Sequence, residues 1–192
     1  MCGIFCYIGK SLSTIKLQDN FSRIENRGPD YSILQSVDNV TMGFHRLSIN
    51  DLTNKGDQPF ESSDGRFLFL FNGECYNYKD LRYKYLKQQR LQSDSDSEVV
   101  FHLFLKLGVD SFRYLRGMFA ICIIDRVSHK VYLARDEFGI KPLYYWFNSK
   151  TLIFSSEIKG IIEHPDYQID VDLNALNEYF SFQNIFSFQS SS

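Results

Sequence analysis

The sequence predicts an α+β fold with two mostly antiparallel sheets. Runs with strand character stand near both ends of the 192-residue chain. Helical periodicity is grouped between and after them, not alternated with single strands as a parallel array requires. Several of the strand runs also come in pairs joined by short polar turns. Hydrophobic residues make up 44% and charged residues 23%, which suits one folded domain. Aromatics reach 16%, with 18 Phe and 12 Tyr, so a core or an interface is rich in rings.

Taken in order, residues 2–8 alternate Cys2, Ile4, Cys6 and Ile8 with Gly3, Phe5 and Tyr7, the period of a first strand. Lys16 to Glu25 sets Leu17, Phe21 and Ile24 at helical spacing, and Arg27-Gly28-Pro29-Asp30 stops that helix in a turn. Residues 31–37 and 40–47 read as a hairpin. A polar connection runs from Asn50 to Asp64. Phe67 to Phe71 is a continuous apolar run, as in a central strand, and ends in Asn72-Gly73-Glu74.

The second half continues in the same way. Asn77 to Gln89 has helical spacing, and Ser93 to Glu98 is a loop with several candidate caps for a helix over Val99 to Leu107. Gly117 to Asp125 pairs with Lys130 to Arg135, and Leu143 to Phe147 with Thr151 to Ser155. Glu157 to Glu163 predicts a short helix, and Val171 to Phe182 a longer one capped by Asp170 or Asp172. The expected domain covers residues 2–186, with a frayed tail over 187–192.

Composition excludes several classes of function. A formal net charge of -2 leaves no basic footprint for nucleic acid and no polybasic patch for a membrane. No apolar run approaches the roughly 20 residues of a membrane span. The N-terminus has no signal-peptide pattern, so the cytoplasm is the expected compartment. Cys2 and Cys6 lie close together while Cys75 and Cys122 are scattered, which is neither a disulfide framework nor a zinc pattern. His45, His102, His129 and His164 show no ligand spacing, so no metal is expected.

Chemistry concentrates at strand ends. If Met1 is removed, Cys2 carries a thiol and a free α-amine on one residue, a nucleophile beside its own base. Arg46 ends one apolar strand, Asn72-Gly73-Glu74 ends another, and Asp96 sits at a loop-to-helix junction. A substrate bearing a carboxylate, an ammonium and an amide carbonyl needs a bidentate cation, an anion and oxyanion donors. Arg46, Asp96, and the Asn72 side chain with the Gly73 N–H supply those in that order.

Eight motifs occur in sequence: Cys2-Gly3-Ile4, Arg27 to Asp30, Gly43 to Ile49, Phe71 to Asn77, Ser95 to Glu98, Arg116 to Ala120, Arg135 to Tyr145, and Ser155 to Lys159. Together they resemble the glutaminase domain of glutamine-hydrolysing asparagine synthetases, a class II glutamine amidotransferase. The resemblance implies the N-terminal nucleophile hydrolase fold, a four-layer αββα sandwich. It implies glutamine as substrate, Cys2 as nucleophile, and Asn72 with Gly73 as the oxyanion hole. Arg46 then holds the glutamine carboxylate, and Glu74 and Asp96 its α-amine. It allows a homodimer.

Family members continue into a synthetase domain that adenylates aspartate on a Ser-Gly-Gly-x-Asp-Ser loop and needs ATP and magnesium. That loop is absent from this sequence, so no cofactor is expected for the residues given. Plainer readings stand beside these roles. Asp96 alone reads as a helix N-cap, Arg46 as a surface ion pair, and Asn72-Gly73 as a hairpin turn. The alternatives for the whole are an ammonia source for another acceptor such as a sugar, or an inactive interaction domain. Asn26 and Cys75 depart from the family pattern, which has a histidine and a branched apolar residue there. Arg135, Asp136 and the Gly139 to Tyr145 run are read as structural, and Cys6 and Cys122 as core.

Overall fold

A computed structural model describes residues 2–10, 12–47 and 57–186. One five-stranded sheet contains β1 (Gly3–Ile8), β2 (Tyr31–Val37), β3 (Val40–Arg46), β8 (Tyr144–Phe147) and β9 (Leu152–Ser155), in the order β2-β3-β1-β9-β8. The other has four strands, β4 (Phe60–Glu61), β5 (Phe67–Cys75), β6 (Gly117–Asp125) and β7 (Lys130–Arg135), in the order β4-β5-β6-β7. Every strand pairing in both sheets is antiparallel.

Strand periodicity sorts residues into layers, because successive side chains point to opposite faces. Even-numbered positions fill the space between the sheets: Ile4 and Cys6 of β1, Met42 and Phe44 of β3, Leu68 and Leu70 of β5, and Cys122 of β6. Odd-numbered Phe5 and Tyr7 face outward onto Leu17 and Phe21 of α1 (Thr14–Ser22). On the far side, Phe69, Phe71, Ile121 and Ile123 meet α2 (Tyr78–Tyr85) and α3 (Asp96–Leu107). The result is helix, sheet, sheet, helix. The aromatic excess serves this outer contact, where the Phe69 and Phe101 rings stack with centroids 4.9 Å apart.

Local chemistry shifts several boundaries. Ser13 caps α1, its hydroxyl accepting from the Lys16 N–H, so that helix starts earlier than Lys16 and stops at Ser22 before a 3-10 turn at Glu25–Arg27. Ser95 caps α3, which therefore begins at Asp96 and not Val99. The helix expected to Gln89 ends at Tyr85, and the one expected over Glu157 to Glu163 is only a 3-10 turn at Ile158–Gly160. The polar connection hides β4, and β5 runs on to Cys75. α4 (Leu173–Phe182) is capped by Asp172, whose carboxylate accepts from the Asn174 and Ala175 N–H groups. Met1 and the expected frayed tail lie outside the described residues.

Candidate active site

Cys2 precedes β1 and continues its inward-facing row, half-buried against the inter-sheet core. Its thiol lies 3.8 Å from the Leu47 carbonyl oxygen, and its own carbonyl accepts from Arg27 Nε at 3.1 Å. The antiparallel register sets Gly3 opposite His45 at the end of the β1–β3 ladder, one residue after Cys2 and one before Arg46. Gly28 lets the Arg27 turn come this close. A Cβ there would stand 2.4 Å from the His45 carbonyl, closer than any real side chain allows.

Arg46 is 8% exposed and is not a surface residue. Its Nη1 donates to Asp57 Oδ1 at 2.6 Å, an ion pair that fixes the guanidinium at the end of β3. The next residue, Gln58, turns its side chain on the β5 backbone. It accepts from the Phe71 N–H at 2.6 Å and donates to the Phe71 carbonyl at 3.0 Å. A continuous run of contacts thus leads from Arg46 through Asp57 and Gln58 to the residue before Asn72.

Asn72 is 1% exposed and shares the inward face of β5 with Leu68 and Leu70. Its side-chain Nδ2 is buried and has no hydrogen-bond partner among the described residues. An orphaned buried donor costs roughly 1–3 kcal/mol, so such a group persists where a ligand satisfies it. Asn72-Gly73 is not a hairpin turn, because both residues pair within the β5–β6 ladder, opposite Ala120 and Phe119. Gly73 is required there: a Cβ would lie 2.2 Å from the Met118 carbonyl oxygen.

The Gly73 N–H points away from that ladder. Phe119 spends its own N–H and carbonyl on Asp136, on the side away from β5, so the Gly73–Phe119 pair is the kind that exchanges no hydrogen bonds. Gly73 therefore turns its N–H to the other edge of β5. Its neighbours on that edge are engaged, Phe71 by Gln58 and Cys75 by Asp96. No partner takes the Gly73 N–H among the described residues. The Asn72 side-chain Nδ2 and the adjacent Gly73 amide are thus both without a partner among the described residues.

Asp96 is the first residue of α3 and not its cap. Its carboxylate accepts from the Cys75 N–H at 2.7 Å and from the Ser97 N–H at 2.9 Å. Burial pushes its pKa above the ordinary carboxylate value, and the nearby Glu74 adds to the rise. A half-buried carboxylate that also feels a second acid favours a cation beside it.

The surrounding motifs brace the site. His45, one of the residues sequence reasoning left without a role, is buried and stacks on Phe21 at 3.7 Å. Its Nε2 donates to the Phe21 carbonyl at 3.0 Å, leaving Nδ1 to accept from the Ser32 hydroxyl at 2.6 Å. Asp136 accepts from the Phe119, Ile140 and Lys141 N–H groups, and Arg135 donates to the Lys141 and Gly139 carbonyls. Both thus hold the turn after β7. Cys6 and Cys122 are fully buried, and burial pushes both thiols up. Asp57 and Gln58 were missed because they sit in a polar stretch with no periodicity. Among the described residues no group of three or more His, Cys, Asp or Glu could hold a metal ion, and no helix is long and apolar enough to cross a membrane.

The thiol of Cys2, the anchored Arg46 guanidinium, the unpartnered Asn72 amide and the Asp96 carboxylate thus lie at strand ends or at a helix start. Residues 1–191 match the glutamine amidotransferase domain family, and the chain belongs to it. It is similar to the glutamine-hydrolyzing asparagine synthetase 2 of Bacillus subtilis, 44% identical over 142 residues that cover 74% of this chain and 19% of that protein. Asparagine synthetase 1 of the same organism is 40% identical over 161 residues, 83% of this chain and 25% of that one. A probable asparagine synthetase of Acanthamoeba polyphaga mimivirus is 36% identical over 184 residues, 91% and 33%. The chain thus spans about a fifth to a third of the length of these relatives.

Solved structures show the same fold at low identity. The glutamine phosphoribosylpyrophosphate amidotransferase of Bacillus subtilis superposes with a TM-score of 0.67 at 19% identity, covering 83% of this chain and 42% of that one. A structure described as the allosteric regulatory enzyme of purine biosynthesis gives 0.71 at 19%, covering 84% and 43%. The shared architecture is a four-layer αββα sandwich of two antiparallel sheets.

Proposed function

We propose that this chain is the glutaminase part of an asparagine synthetase-like enzyme, releasing ammonia from glutamine for transfer to aspartate in a synthetase domain. The observation that carries the reading is the buried, unpartnered Asn72 Nδ2 beside the open Gly73 N–H, donors aimed at a charge that exists only during reaction. After loss of Met1, the Cys2 α-amine takes the thiol proton and the sulfur attacks the side-chain amide of glutamine. Asn72 and Gly73 stabilise the tetrahedral oxyanion, each such donor contributing roughly 3 kcal/mol to barrier lowering. The amine returns its proton to the leaving ammonia, and water resolves the thioester to glutamate. Arg46, oriented by Asp57, grips the glutamine carboxylate, while Asp96 and Glu74 receive its ammonium. The similarity to asparagine synthetases favours aspartate as the acceptor over a sugar.

The processed chain is expected to release ammonia from glutamine, and Cys2→Ala to abolish that release while leaving the fold intact. A form that keeps Met1, verified by mass spectrometry, is expected to be inactive, because its base has become an amide. Equal turnover by the Met1-retaining form or by Cys2→Ala would contradict the reading.

A further inference from the structure

None of the roles above uses the Ser155-Ser156-Glu157 run. Yet it wraps the beginning of the chain. Ser156 continues the β1–β9 ladder past its last strand pair: its N–H donates to the Ile4 carbonyl at 2.9 Å, and its hydroxyl accepts from the Ile4 N–H at 2.9 Å. Glu157 then reaches Arg27, accepting from Nη1 at 3.3 Å, and Arg27 Nε holds the Cys2 carbonyl.

The Arg27 side chain is 9% exposed, and Glu157 is its one ion-pair partner among the described residues. Arg27 Nη2 is buried without a partner among them, so Glu157 and the Cys2 carbonyl are what aim the guanidinium. Glu157 is itself held. Asn26 Nδ2 donates to it at 3.3 Å and Lys159 Nζ lies 2.8 Å away, while Lys159 also donates to Asn26 Oδ1 at 2.8 Å. Asn26 therefore belongs to this cluster.

We propose that Glu157 is a positioning residue for glutamine hydrolysis, acting through Arg27 on the backbone of Cys2. The inference rests on the nucleophile role proposed for Cys2. Residue 2 lies beyond the first ladder pair, Gly3 with His45, so no strand pairing holds its carbonyl. The plane of the peptide bond that follows Cys2 is the base on which both thiol and amine swing, through one rotation about Cα–C. Arg27 fixes that plane by gripping its oxygen. Without Glu157 the guanidinium is left buried and uncompensated, and it turns toward other acceptors. An ångström of misplacement at the reacting atom is enough to slow chemistry by about a hundredfold.

The test is steady-state ammonia release by the N-terminally processed chain. Glu157→Ala is expected to lower kcat about tenfold while KM for glutamine stays within about threefold, since the substrate's own contacts are untouched. Glu157→Gln, which keeps an acceptor for Arg27 Nη1, is expected to stay within about threefold of wild type. In an Arg27→Met background Glu157→Ala is expected to change kcat less than about twofold, because the route is already cut. Should Glu157→Ala fail to fold, Glu157→Asp, which withdraws the carboxylate from Arg27, is read the same way. Losses that add in the double variant, or an unchanged kcat in Glu157→Ala, overturn the positioning role alone. A processed wild-type chain that does not hydrolyse glutamine overturns that role together with the function proposed for the chain.

Discussion

The middle of the inter-sheet layer and its open end are built from the same strands and the same inward-facing positions. In the middle those positions hold Ile4, Cys6, Leu70 and Cys122, all fully buried. One step further along β1 and β5 the row reads Cys2 and Asn72, and β3 ends its own row in Arg46. The β3 and β5 ladders run on through Arg46 and Asn72, while Cys2 stands one residue beyond the β1 ladder. Paired strands hold Arg46 and Asn72 more tightly than loops would.

This contrast can be broken at the step itself. Leu70→Ala should cost roughly 2–5 kcal/mol of stability through the cavity it leaves, read from denaturant unfolding, with kcat little changed at a temperature where the variant is folded. Asn72→Ala, one inward position away, should do the reverse. Its kcat should fall about 10²–10³-fold, and its melting temperature should hold or rise because a buried unpartnered donor is gone.

A second measurement sharpens the electrostatic side. Burial holds the Asp96 pKa above the ordinary carboxylate value, so as pH falls it takes up a proton earlier than a solvent-exposed aspartate does. Protonation removes the anion proposed to receive the substrate ammonium. KM for glutamine should therefore rise on acidification through that raised pKa and be flat above it. Asp96→Asn should raise KM about tenfold to a hundredfold at neutral pH and erase most of the acid-side dependence. An unchanged profile would separate Asp96 from substrate.

The smallest effect belongs to Gln58. Gln58→Ala strips the partners from the Phe71 N–H and carbonyl, which should cost roughly 1–3 kcal/mol in thermal or denaturant unfolding. The open end should suffer more than the middle. Hydrogen exchange should accelerate at Phe71, whose N–H loses its acceptor, before it does at Leu68.

Much of the architecture was legible because strand periodicity is simple. The β2–β3, β6–β7 and β8–β9 hairpins follow from alternation around Asp38-Asn39, Arg126 to His129 and Asn148 to Lys150. The plainer local readings failed where tertiary contacts overrode local signals. Asn72-Gly73 has the composition of a turn, yet glycine is there so that β5 can press against the Met118 carbonyl. Asp96 has the chemistry of a helix cap, yet Ser95 caps and frees Asp96 to hold the Cys75 N–H. β4 is two residues long, too short for any period to show. The residues of the candidate site could be named individually from motifs. What no motif could show is the contact chain from Arg46 through Asp57 and Gln58, which depends on residues distant in sequence meeting in space.

The short reach from the start of the chain to its first ladder pair carries a consequence for length. Gly3 faces the α1 side, beside Arg27 and the Ile24 carbonyl, while the thiol one residue earlier faces the other sheet. Deleting Gly3 would leave every functional group in the sequence and still turn the sulfur to the wrong side of its sheet. Under the proposed nucleophile role of Cys2, chain length ahead of Ile4 counts as much as the cysteine itself, and one codon fewer is expected to abolish glutamine hydrolysis.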